Sequence, residues 1–137
     1  MKGYLLKSEK IFIGEPIVIQ STAPENQYMV VFEDDGETGY FYAAEHDEKG
    51  EVTVVHDMLY IYDVESIDVS SRKASLSIVW SRNWLGCGLI LDDVCHAVVD
   101  FENRAGYNLA GFPPPGAWAS TQSRKLTKEI VDAFFST

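Results

Sequence analysis

Apolar residues alternate with polar ones along short runs, and glycine, proline, asparagine or aspartate closes each run. A strand turns successive side chains to opposite faces, so this pattern restricts the chain to half-buried strands joined by turns. Between Ala74 and Trp80, Leu76, Ile78 and Trp80 alternate with Ser75, Ser77 and Val79. Tyr28 to Phe32 and Thr38 to Ala43 flank Asp34-Asp35-Gly36-Glu37, and Asp-Gly between such runs predicts a hairpin. Tyr40 and Tyr42 then share one face and Phe41 takes the other. Glu51 to His56 sets Val52 and Val54 against Thr53 and Val55. Gly86 to Leu91 and Cys95 to Phe101 read as a hairpin about Asp92-Asp93, with Leu91 opposite Val94 and Cys87 opposite Val98.

Other segments are less regular. IFIGEPIVIQ after Lys10 reads as one bent strand or two short ones, with Pro16 at an edge or bulge. Residues 57–69 match strand and helix periods partly. Asn103 to Gly111 reads as irregular, and Phe112-Pro113-Pro114-Pro115 as a stiff segment that could hold a cis bond, with trans favoured. Near the end, Leu126, Ile130 and Phe134 recur at helical spacing, with Val131 and Phe135 widening the stripe. This predicts an amphipathic helix over about 124–135, capped by Thr121 or Ser123.

The expected fold is α+β and mainly antiparallel β: about seven or eight short strands with one C-terminal helix. A sandwich, a curved sheet and a partly open barrel all fit. Residues 1–137 form one β-rich domain in this reading, because the length leaves no room for a second core.

Charge narrows the function classes. The chain holds 21 acidic and 11 basic residues, a net charge of −10. Phosphate contacts need a basic stripe, so no nucleic-acid partner is expected. A basic protein partner suits the charge, as does a simply solvated acidic surface. No apolar run reaches a membrane span, and Tyr4-Leu5-Leu6 is too short for a signal-peptide core. Cys87 and Cys95 make no disulfide framework and no zinc spacing. The expected location is the cytoplasm.

MVVFEDDGETGYFYA, DMLYIYDVESI, IVWSRNWLGCGLILDDVCHAVVDFENRAGYN and FPPP follow one another in that order between residues 28 and 115. Their order resembles the bacterial family catalogued as domain of unknown function 2251. The resemblance implies a bacterial, cytosolic protein and supplies no catalytic residues to transfer.

The strongest chemical constellation is His96, Asp100 and Glu102 on one face of the predicted strand Cys95–Glu102. His96 and Asp100 stand about 13 Å apart at the strand rise, so a catalytic pair needs a partner from a neighbouring strand. A polar, solvent-facing sheet half gives the same pattern. Cys95 points away from His96 in a regular strand and reads as a buried thiol. Glu33, Asp34, Asp35 and Glu37 crowd one turn without calcium-loop register, and turn chemistry explains them; no metal or cofactor is expected. Trp80, Trp84, Tyr107, Phe112 and Trp118 gather late in the chain, either to line a groove or to anchor a core.

The leading expectation is a non-catalytic interaction domain, in concrete form an acidic, immunity-like protein that neutralises a basic partner. One alternative is a small hydrolase using His96 with nearby carboxylates. Another is a ligand-binding barrel with a cavity lined by Tyr40, Tyr42, Trp80 and Val98.

Overall fold

A computed structural model describes residues 3–136. Along them run β1 (Tyr4–Phe12), β2 (Ile17–Thr22), β3 (Tyr28–Asp34), β4 (Thr38–His46) and β5 (Val52–Asp63). Then come β6 (Lys73–Trp80), β7 (Gly86–Leu91), β8 (Val94–Asp100), β9 (Ala105–Asn108) and the helix α1 (Lys128–Ser136). The strands form a five-stranded sheet, ordered β1-β6-β7-β8-β9, and a four-stranded sheet, ordered β2-β3-β4-β5. Every pairing is antiparallel.

The sheets do not close into a barrel. They stack over one shared core, as a sandwich. Phe32, Phe41 and Leu59 enter from the four-stranded sheet, and Leu76, Ile78, Trp80, Leu89 and Val99 from the five-stranded sheet. All eight are fully buried. The alternation between Ala74 and Trp80 is therefore the inward face of β6. Trp80 keeps its polar edge satisfied by donating its indole N–H to Ser21 Oγ of the opposite sheet, at 2.9 Å.

Several expectations need correction. There are nine strands among the described residues. Tyr4–Lys10 form most of β1 although those residues are exposed and show no apolar alternation. β9 lies inside the stretch read as irregular. IFIGEPIVIQ holds the end of β1 and the start of β2, which belong to different sheets. Residues 57–69 continue β5 to Asp63, and two 3-10 turns follow at Val64–Ser66 and Val69–Ser71. Leu91 does pair with Val94, but Cys87 pairs with Val99, because a bulge at His96 shifts the register by one. The Phe112–Pro113 bond is cis, not trans.

The helix starts later than 124. Backbone bonds from Asn108 N to Arg124 O and from Leu126 N to Asn108 O hold that stretch extended. Thr127, rather than Thr121 or Ser123, then caps α1, its hydroxyl accepting the Ile130 N–H at 3.2 Å. No residue of α1 is fully buried. The helix rests on the outer face of the five-stranded sheet, where Phe134 lies over Gly86 and Gly88. A Cβ there would come within 3.1 and 3.0 Å of its ring, so glycine is what allows the ring to sit.

The extended stretch is anchored by a buried ion pair. Arg124 Nη2 donates to both Asp57 oxygens at 2.8 and 2.7 Å, and Nη1 donates to Met58 O at 3.0 Å. The two side chains are 2% and 6% exposed. Replacing Arg124 with Met is expected to cost about 3–5 kcal/mol, since it leaves a carboxylate buried and unpaired. Urea unfolding checks this: the midpoint should fall with little change in slope.

Candidate functional site

The groove between α1 and the five-stranded sheet holds part of the predicted site. It has a volume of about 560 Å³, and its walls include Arg82, Asn83, Asp100, Glu102, Tyr107 and Ile130. β8 ends at Asp100, so Glu102 stands on the following turn rather than on the strand. Asp100 also organises that turn, accepting from Asn103 N at 3.0 Å and Asn103 Nδ2 at 2.8 Å. His96 is not part of these walls. It sits at the bulge, and burial pushes its pKa down against the opposing charge of Asp92. The structure thus brings Asp100, Glu102 and Tyr107 together and leaves His96 apart.

Both thiols are free. Burial pushes Cys87 well up and Cys95 up to about 11, so both are protonated at neutral pH.

The late aromatics separate into a core stack and two outliers. Tyr4 stacks on Trp84 at 4.7 Å, Trp84 meets Trp80, and Trp80 stacks on Phe101 at 6.0 Å. Trp118 packs edge-on against Phe101 and stacks on His56. His56 in turn meets Glu45. Trp80, through Ser21, and Trp118, through His56, therefore tie the two layers together. Tyr107 faces the helix groove, whereas Phe112 is 58% exposed and packs edge-on against Tyr60 of the other sheet. Tyr40 and Tyr42 line no cavity with Trp80 and Val98. They point outward from the four-stranded sheet, Trp80 is in the core, and Val98 lies beneath the helix groove.

That outward face is the most distinctive surface of the molecule. Register aligns Val18, Glu33, Tyr40 and Tyr60 in one row and Gln20, Val31, Tyr42 and Met58 in the next. Among the described residues, no helix lies on it. Val18 is 55% exposed and Met58 37%. Tyr40 and Tyr42 stand 6.1 Å apart, and Tyr42 donates its phenol to Glu33 Oε1 at 3.1 Å. Burial and that carboxylate push Tyr42 up to about 12. Burial also raises Tyr60, helped by the charge of Asp63, which pairs with Thr38 at one end of the face.

The acidic residues are concentrated in the part of the chain that carries this layer and its turns. Residues 11–71, which include β2 to β5, hold 14 of the 21 acidic residues and one basic residue, Lys49. The remaining residues hold seven acidic and ten basic ones. This split is readable in the sequence once the layer boundaries are known. A single net charge conceals it.

The acidic turn is built by its own hydrogen bonds. Asp34 is buried and accepts from Gly14 N, Gly36 N and the Tyr62 phenol at 2.8, 2.8 and 2.6 Å. Asp35 accepts from Glu37 N and Thr38 N, which lowers its pKa. Among the described residues, no three His, Cys, Asp or Glu side chains gather to hold a metal ion.

The phenols supply a test of this geometry. The folded pKa of Tyr42 lies above its ordinary 10.0, so its contribution to stability is whole below pH 10 and is lost as pH rises towards about 12. An ultraviolet phenolate titration should show one component near pH 12 that Tyr42→Phe removes. Loss of a component near pH 10 instead, with the one near pH 12 retained, would contradict the Tyr42–Glu33 contact.

A family model described as an uncharacterized protein conserved in bacteria (DUF2251) matches residues 11–135. An uncharacterized protein of Haemophilus influenzae is 33% identical over 131 residues, covering 94% of this chain and 80% of the relative. No solved structure matches the chain. The family match spans β2 to β9 and most of α1, and on that ground the chain belongs to the bacterial family DUF2251.

Proposed function

We propose that this protein is a non-catalytic interaction domain that binds a basic protein partner through the outer face of its four-stranded sheet. The observation that carries the reading is the segregation of charge: residues 11–71, which carry the uncovered sheet and its turns, hold 14 acidic residues and one basic residue. Opposite charge steers association and suppresses like-charged partners. Tyrosines with exposed faces add contact area at little entropic cost. An acidic, cytosolic protein of this design would neutralise a basic partner in the manner of an immunity protein.

The hydrolase alternative rests on His96 reaching Asp100 or Glu102. The helix groove holds those two carboxylates without the imidazole. No observation favours that reading over the first.

The test is affinity capture from the native cytosol at low and high salt, with mass spectrometry of what is retained. A basic protein should be held at low salt and released as salt rises, because exposed charges are screened. Glu33→Lys and Asp63→Lys should weaken capture of that protein strongly, while Glu129→Lys on the helix should leave it unchanged. Equal loss from all three would sink the assignment to this face.

A further inference from the structure

The same face shows which basic group the partner would present, and this inference rests on the reading just proposed. Glu33 sits inside an aromatic surround, with Tyr40 and Tyr60 along its row and Tyr42 in the next. Its Oε1 takes the Tyr42 phenol. Its Oε2 has no hydrogen-bond or ion-pair partner among the described residues. No lysine or arginine occurs in β2, β3, β4 or β5. Lys49 lies in the turn between β4 and β5, beyond the end of the sheet where Tyr28 pairs with Glu45. Glu33 is five residues from that end, about 17 Å at the strand rise. The carboxylate is therefore fixed, half-buried and without a cation of its own.

We infer that this cluster is a seat for a guanidinium group, an arginine side chain of the basic partner stacked on the tyrosine rings and bonded to Glu33. Two features select guanidinium over ammonium. A planar, weakly hydrated cation stacks on aromatic faces, whereas an ammonium keeps its water. A guanidinium also presents a fork of donors, which suits a carboxylate whose one oxygen is taken and whose other is open. Tyr42 holds Glu33 in place, and Val18, Val31 and Met58 shield the contact from water on either side.

The experiment compares labelled hexa-arginine and hexalysine peptides by fluorescence anisotropy at low salt. Both carry the same charge, so the general field of the acidic layer acts on them equally. The wild-type protein should bind the arginine peptide more tightly, by about threefold or more. Glu33→Gln and Tyr40→Leu should each abolish that preference while most of the charge-driven binding stays. Glu129→Gln should keep it. Unfolding midpoints of the variants separate a lost seat from a lost fold. Equal affinities in the wild type, or a preference that survives Glu33→Gln, would overturn the guanidinium seat and leave the interaction reading standing. Failure of both peptides to bind at low salt would overturn the reading itself and the seat with it.

Discussion

The buried contact between Arg124 and Asp57 decides how the last quarter of the chain is arranged. Asp57 lies on β5, in the four-stranded sheet, and Arg124 precedes a helix that lies on the five-stranded sheet. The pair therefore ties one layer to the segment that covers the other. It also needs space that only a missing side chain provides: a Cβ at Gly106 of β9 would stand 2.5 Å from Asp57 Oδ2. Asn108 reinforces the same junction. It is fully buried, donates to Tyr60 O and Phe112 O, and accepts from Gly111 N. With this junction made, the chain beyond β9 passes the edge of β5 and then covers a sheet face. The face it covers belongs to the five-stranded sheet, which leaves the face of the four-stranded sheet open.

This asymmetry explains the distribution of chemistry better than any single residue does. A sheet with both faces covered becomes a core element, and its outward residues turn small or apolar. Gly86, Gly88 and Val98 under the helix fit that description. A sheet with one open face keeps outward residues for water or for a partner. Here those residues are tyrosines, valines and a glutamate, on the layer with nearly all the uncompensated negative charge. Exposed apolar area of this kind, bordered by charge, marks an interaction surface more often than it marks a site of reaction.

Much of the architecture was legible from alternation and turns. Leu76, Ile78 and Trp80 announced an inward face, and Asp92-Asp93 announced a two-residue hairpin. Both aspartates take positive φ, as that turn needs. What alternation could not show was a strand whose side chains are nearly all exposed, such as β1, or one as short as β9. The helix begins after the expected boundary because Leu126 continues the helical spacing of Ile130 and Phe134 while tertiary bonds hold it extended. At the candidate site, alternation showed that Tyr40 and Tyr42 share a face, but not that this face is the outer one. Nor did it show their meeting with Glu33 and Tyr60, since that depends on register across three strands. Strict alternation put His96 on the face of Asp100, four residues away, and the groove that takes in Asp100 does not reach it.

The seating of α1 has a further consequence. Its contact with the sheet includes a ring over two glycines, and none of its residues is fully buried. Burying one phenylalanine is worth about 1.5–3 kcal/mol, well below the stability of a whole domain. The helix is thus its own opening unit: amides in α1 exchange with solvent through lifting of the helix, while those of β6 and β7 wait for the sandwich to unfold. Each such opening bares Gly86, Gly88 and Val98, so the molecule passes transiently through a form with both sheet faces exposed.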